Sequence, residues 1–191
     1  MRRVAYLCGV AGSGKSTLSG GFKDAGVAVI AGDGMMKWAA TRLCPYLNPK
    51  HAWLPDLWEA LSNHCDLRSA FRLTLLDSFG KQLSSDLPIL AETVLFGRRP
   101  VREAIHGALL DIEPRGLETK TFWLQPSATE LVERHNGRIN LGDRPNEKPI
   151  DVAEASKRLD SYKGRMRDSG AYRSGDPDEM AAEIRRFLLP E

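Results

Sequence analysis

Nine residues near the amino terminus, Gly9-Val10-Ala11-Gly12-Ser13-Gly14-Lys15-Ser16-Thr17, fit the spacing G-x-x-x-x-G-K-[ST]. That spacing has a specific chemical use. Glycines at 9, 12 and 14 let the backbone take conformations a Cβ would forbid, so that successive N–H groups can face phosphate oxygens. A helix opening near Lys15 adds the positive end of its dipole. The expected phosphate contacts are Gly9, Ala11, Gly12, Ser13, Gly14, Lys15, Ser16 and Thr17. Lys15 is expected to reach the β- and γ-phosphates of ATP and to carry charge during transfer, and the Ser16 hydroxyl to ligate Mg²⁺.

Two carboxylates complete the reactive set. Asp33 follows the apolar run Val27-Ala28-Val29-Ile30. Ligands of open α/β sheets gather outside the carboxyl ends of strands, so Asp33 is expected in the crevice of the phosphate loop, as general base for an attacking hydroxyl. Its plainer use is to cap the helix that begins before Met35-Met36-Lys37-Trp38, and the two uses are compatible. Glu92 ends the apolar part of Leu87–Phe96 and is expected to hold Mg²⁺ through water or to touch the acceptor; otherwise it is a structural acid. Arg134 and Arg138, four apart on one helical face, are expected on the nucleotide phosphates, with Arg138 counted among the catalytic residues beside Asp33 and Lys15. Residues 134–149, rich in turn formers and positive charge, read as a lid over the nucleotide.

These groups need strands and helices to hold them. Val4–Cys8 reads as a buried strand, Leu18–Ala25 as the rest of the first helix with Gly26 as its stop, and Val27–Ile30 as a second strand. Residues 38–83 read as a helical insertion on the acceptor side, with Leu54/Leu57/Trp58/Leu61 and Leu67/Phe71/Leu75/Phe79 at helical spacing. Trp38, Tyr46, Trp53 and Trp58 could stack on bases, and Arg42, Lys50, His51, Arg68 and Arg72 could meet an acceptor, although packing and solvated surface are the commoner uses. Leu87–Phe96 reads as the third strand with Pro88 at its entrance. Arg98, Arg99 and Arg102 start a helix buried along Val101, Ile105 and Leu109, near the crevice mouth, where they serve either as acceptor-side phosphate contacts or as a solvated helix start. Thr121–Leu124 reads as a fourth strand before a helix from Pro126. Ile150–Met166 reads as a helix capped by Asp151, with Val152, Ala155 and Leu159 on one face. Ala171–Asp176 is left as either a last strand or a loop, and Asp178–Leu189 as a terminal helix.

At 191 residues and 42% apolar content the chain can bury one core, so a single domain over 1–191 is expected. A net charge of +2 announces neither a nucleic-acid coat nor a membrane surface. Cys8, Cys44 and Cys65 are odd in number and lack zinc spacing, which suits a reduced, cytoplasmic setting. Met1-Arg2-Arg3 with a short apolar stretch imitates a signal peptide, yet the stretch runs directly into the phosphate loop. No apolar run approaches the ~20 residues of a membrane span.

Taken in order, the pieces resemble the kinase domain of the phage-type polynucleotide kinases, small P-loop phosphotransferases, over most of the chain. The resemblance rests on the phosphate loop, Asp33 after the second strand, Glu92-Thr93-Val94-Leu95 against the family's Asp-Thr-Asn-Leu, and Glu130–Arg138 followed by Pro149-Ile150-Asp151-Val152. It implies that Lys15 and Ser16 serve ATP and magnesium, Asp33 is the base, and Arg134 and Arg138 hold phosphates. The acceptor side departs from the pattern. Asp33-Gly34-Met35-Met36-Lys37 lacks the family's arginine three residues after the base, Glu92 replaces aspartate, and Val94 replaces asparagine. Gluconate and shikimate kinases are similar in the P-loop core and also keep an Asp after the second strand. The reading is a three-layer α/β/α P-loop fold with a central parallel sheet, transferring the γ-phosphate of ATP to a hydroxyl. The favoured acceptor is nucleic acid, at a 5′-hydroxyl end or a hydroxymethylated pyrimidine in DNA. A small-molecule acceptor (nucleoside, nucleotide or sugar acid) is the alternative, and an NTP-hydrolysing switch ranks below both.

Overall fold

The structure is a computed structural model that describes residues 1–43, 63, 66–94, 98–113, 115–142, 147–167 and 169–190. Five strands form one sheet: β1 (Arg2–Cys8), β2 (Ala28–Ala31), β3 (Ile89–Glu92), β4 (Leu117–Leu124) and β5 (Tyr172–Ser174), in the order β2-β3-β1-β4-β5. Every pairing is parallel. The described helices are α1 (Lys15–Gly20), α2 (Gly32–Leu43), α3 (Leu67–Leu83), α4 (Arg99–Ile112), α5 (Ala128–Asn140), α6 (Val152–Met166) and α7 (Pro177–Leu188).

Strand alternation sorts the side chains into two cores. Val4, Tyr6, Cys8, Ile30, Ile89, Ala91 and Trp123 face α2 to α6, where Met35, Phe71, Ile105, Leu131 and Leu159 meet them. Ala5, Leu7, Leu90, Phe122 and Leu124 face α1 and α7, against Leu18, Phe22, Met180 and Ile184. A sheet covered on both sides is the three-layer α/β/α arrangement, which explains strands that read as continuous apolar runs.

Local chemistry sets the helix ends. Ser127 and Glu130 form a reciprocal capping box at α5. Asp151 caps α6 and Asp176 caps α7 through their side chains. Helix α1 is shorter than the Leu18–Ala25 expectation: it stops at Gly20, and a 3₁₀ turn over Lys23–Ala25 ends at Gly26 in the left-handed region, φ 72°. The undecided stretch after Ala171 is strand, since Tyr172–Ser174 pairs with Phe122–Leu124. Val152 does not share the buried face of Ala155 and Leu159. As the first residue after the Asp151 cap it points outward, 51% exposed. Among the described residues no helix is long and apolar enough to cross a membrane.

Candidate active site

The sheet register assembles the site. Glu92 stands opposite Leu7 of β1 and Ala31 of β2, so three neighbouring strands reach their carboxyl ends in one row. Beyond that row come the loop from Gly9, Thr93, and Asp33 in the first turn of α2. The chain crosses from β3 to β4 over β1, so the row lies at the switch point where open α/β sheets place their ligands.

The loop Gly9–Thr17 needs glycine at two positions for steric reasons. A Cβ on Gly9 would lie 2.6 Å from the Leu124 carbonyl oxygen and 2.7 Å from Ser13 Oγ, a clash with backbone that no rotamer relieves. Gly14 caps α1 at φ 97°. Lys15 is buried and its Nζ donates to the Val10 carbonyl at 2.9 Å, which holds the ammonium inside the loop. Ser16 and Thr17 are exposed at the mouth.

Glu92 is buried, and it accepts from Ser16 Oγ at 3.2 Å. Burial pushes its carboxyl above the usual range; Asp33 adds to the rise, while Lys15 and the Ser16 hydroxyl oppose it. Asp33 lies beside it, half-buried, and Thr93 Oγ1 donates to Asp33 Oδ1 at 2.5 Å. Gly32 makes this approach geometrically feasible, because a Cβ there would sit 2.7 Å from the Thr93 side chain. Asp33 is therefore inside the helix's first turn rather than capping it from outside, and its carboxylate is oriented by Thr93.

The arginines of α5 divide. Arg134 lies against the loop: its guanidinium donates to the Ser13 carbonyl at 2.8 Å and to Glu130 at 3.3 Å. Arg138 is exposed one turn further along the same helix. Of the expected lid, residues 134–142 and 147–149 are described. The lower side of that segment is clasped, since Asn136 donates to the Ile150 carbonyl and accepts from the Ile150 N–H, both at 2.9 Å. His135 Nε2 lies 3.0 Å from the Lys148 carbonyl oxygen.

Several expected acceptor contacts are engaged elsewhere. Arg68 forks onto Asp111, Arg99 pairs with Glu103 at 2.6 Å, and Arg42 stacks over Trp38 at 5.1 Å. Arg102 approaches Met166 Sδ at 3.6 Å. Met35 and Met36, on the helix that carries Asp33, are buried in the core. Tyr46, Lys50, His51, Trp53, Leu54, Leu57, Trp58 and Leu61 lie outside the described residues, as does Arg144. Cys8 is fully buried, burial pushes its thiol up to about 12, and it donates to the Phe122 carbonyl as part of the core.

Tyr162 is the contributor that sequence reading missed. Its hydroxyl accepts from the Gly9 N–H at 3.1 Å and donates to the Val94 carbonyl at 3.0 Å. The available signal was its place on the buried face of α6 with Ala155, Leu159 and Met166, where an aromatic reads as packing.

A magnesium ion fits these residues. The donors are hard oxygens, Ser16 Oγ and the buried Glu92 carboxylate beside it, and a cation would relieve the burial of that charge. Among the described residues no cluster of three or more His, Cys, Asp or Glu side chains forms an all-protein cage.

No family model matches the sequence, and no curated protein matches it. Solved structures do. The chain is similar to TT1252 from Thermus thermophilus (16% identity, TM-score 0.59, covering 100% of this chain and 99% of that one). It is also similar to a sugar kinase from Janibacter (17%, 0.52, 100% and 97%) and to shikimate kinase from Acinetobacter baumannii (15%, 0.50, 99% and 94%). The fold is thus a three-layer α/β/α arrangement shared with these structures nearly end to end.

Proposed function

We propose that the protein is an ATP-dependent phosphotransferase acting on a hydroxyl of a small molecule. The observation that carries this reading is the convergence of the loop Gly9–Thr17, Glu92 and the Thr93-oriented Asp33 at one row of strand ends.

In this reading the loop amides and Lys15 hold the triphosphate, with Arg134 and Arg138 closing on it from α5. Ser16 and Glu92 would hold Mg²⁺, which would supply neutralisation of phosphate charge when bound. Asp33 accepts the proton of the acceptor hydroxyl as its oxygen forms a bond to the γ-phosphorus; the bond from that phosphorus to the β-bridging oxygen breaks, and ADP leaves. Lys15 and the arginines stabilise charge on the transferring oxygens. Thr93 keeps the carboxylate aimed during the step.

Three features favour a small acceptor over nucleic acid. The structural neighbours named as a sugar kinase and a shikimate kinase are matched over nearly their whole length. Where polynucleotide kinases keep an acceptor-side arginine, this chain has Met36, buried in the core. Arg68 and Arg99 already have acidic partners in Asp111 and Glu103, which weakens two candidates for a backbone-phosphate track.

Nucleic acid is the second reading, on the strength of the ordered motifs from Asp33 to Asp151. The test offers γ-labelled ATP to sugars, sugar acids, cyclic hydroxy acids, nucleosides, single-stranded and duplex DNA, hydroxymethylated DNA and RNA. Label on a small polyol or hydroxy acid, with acceptor affinity nearly independent of salt, supports the first reading. Label on DNA or RNA with steep salt dependence supports the second. Hydrolysis that no acceptor accelerates would return the protein to the switch class.

A further inference from the structure

The Tyr162 hydroxyl joins the two halves of the site through a single oxygen. On one side it holds the N–H of Gly9, the first residue of the phosphate loop; on the other it holds the carbonyl of Val94. Val94 is one residue from Thr93, whose hydroxyl orients Asp33. The oxygen belongs to α6, which packs on α5, the helix whose Arg134 touches the loop at Ser13. The ring is fixed in turn: Tyr162 is 3% exposed, and its centroid lies 6.0 Å from that of Trp123, itself fully buried. A phenylalanine would fill the same volume. The hydroxyl ties Gly9 directly to Val94, alongside the bond from Ser16 to Glu92, and burial leaves the Gly9 N–H without water as a substitute.

We propose that Tyr162 is a positioning residue that couples nucleotide binding at the phosphate loop to the placement of Asp33. This deepens the phosphotransferase reading and rests on it for its catalytic consequence. Drawing Gly9 toward a bound triphosphate pulls on the Tyr162 hydroxyl, and through Val94 and Thr93 it tightens the first turn of α2. The separation between the γ-phosphorus and the attacking oxygen is then set from both sides at once. A misplacement of about 1 Å in such a separation costs on the order of 10²-fold in rate.

The experiment is hydrogen exchange by mass spectrometry on the full chain, with and without Mg²⁺ and a non-hydrolysable ATP analogue, for wild type and Tyr162→Phe. In wild type the nucleotide should slow exchange in peptides covering the loop and also in those covering 31–37. In Tyr162→Phe the loop protection should persist within about 2-fold while protection of 31–37 disappears. With an acceptor in hand, kcat should fall roughly 10–100-fold with the Kd for nucleotide within about 3-fold, a split that a merely destabilising change does not produce. Should Tyr162→Phe fail to fold, Thr93→Val cuts the same chain of bonds beyond Val94 and should likewise abolish protection of 31–37. Unchanged protection of 31–37 in the variants, absence of that protection in wild type, or loss of loop protection together with it would overturn the proposal. Coupled protection in a protein that phosphorylates no acceptor would instead leave the coupling standing and remove the transferase reading.

Discussion

Thr93 and Asp33 come from different strand ends, yet their side chains meet at 2.5 Å, with the threonine hydroxyl donating to Oδ1. The contact occupies Oδ1, so in the proposed reading Oδ2 is the oxygen that takes the proton. Asp33→Ala should lower turnover by roughly 10²–10⁴-fold with nucleotide affinity nearly unchanged. Thr93→Val, which keeps the shape and removes the donor, should lower kcat by about tenfold through poorer aim. Steady-state kinetics with parallel nucleotide titration checks both, and a loss of binding with turnover spared would place the chemistry elsewhere.

Two glycines should respond oppositely to the same change. Gly9→Ala forces a Cβ against the Leu124 carbonyl and should destabilise by about 1–3 kcal/mol while abolishing tight nucleotide binding. Gly137→Ala, inside α5 with nothing within 4 Å of the added carbon, should stabilise by about 0.5–1 kcal/mol. Denaturant melts of the pair give the contrast directly.

Glu92 couples stability to pH. Its folded carboxyl titrates above the unfolded one, so the folded state binds that proton more tightly. The penalty for charging it is present in full above the folded pKa and is relieved as pH falls toward the ordinary carboxylate range. Glu92→Gln should therefore melt higher than wild type at neutral pH, by about 2–4 °C for each kcal/mol relieved, and lose that advantage near pH ~4. The same variant should need roughly 10–100-fold more magnesium for activity. Thermal melts across pH and a magnesium titration read the two halves.

The Asn136 clasp on Ile150 should be worth two ordinary hydrogen bonds. Asn136→Ala should cost about 1–3 kcal/mol and speed exchange of the Ile150 amide, which is otherwise buried. An Ile150 amide that exchanges at the wild-type rate in the variant would mean that the clasp holds nothing.

Much of this arrangement is legible in the amino-acid sequence. Glycine spacing and an apolar run announced β1 and its loop, and the position of Asp33 after a second apolar run put it at a strand end. Val101, Ile105 and Leu109 marked the buried face of α4 correctly. Strand limits were harder to read. β4 begins at Leu117 rather than Thr121, because its first half is polar outside and is held by backbone pairing with Arg2–Ala5. β3 covers only Ile89–Glu92 of the Leu87–Phe96 stretch, ending where the apolar run ends and where Thr93 donates to Asp33. The Tyr162 bridge was illegible for a different reason: helical periodicity reports that a side chain is buried, and says nothing of what its terminal atom touches.

The alignment of Leu7, Glu92 and Ala31 has a consequence for how such a chain can vary in length. Adding or deleting one residue inside β1, β2 or β3 would turn every later side chain of that strand to the opposite face, sending Glu92 away from Ser16 or lifting Asp33 off Thr93. Insertions and deletions should cost less in the connections at the other end of the sheet, away from this row. Homologues that share this chemistry should differ in size there and on the helical side, while keeping these three strands residue for residue the same length.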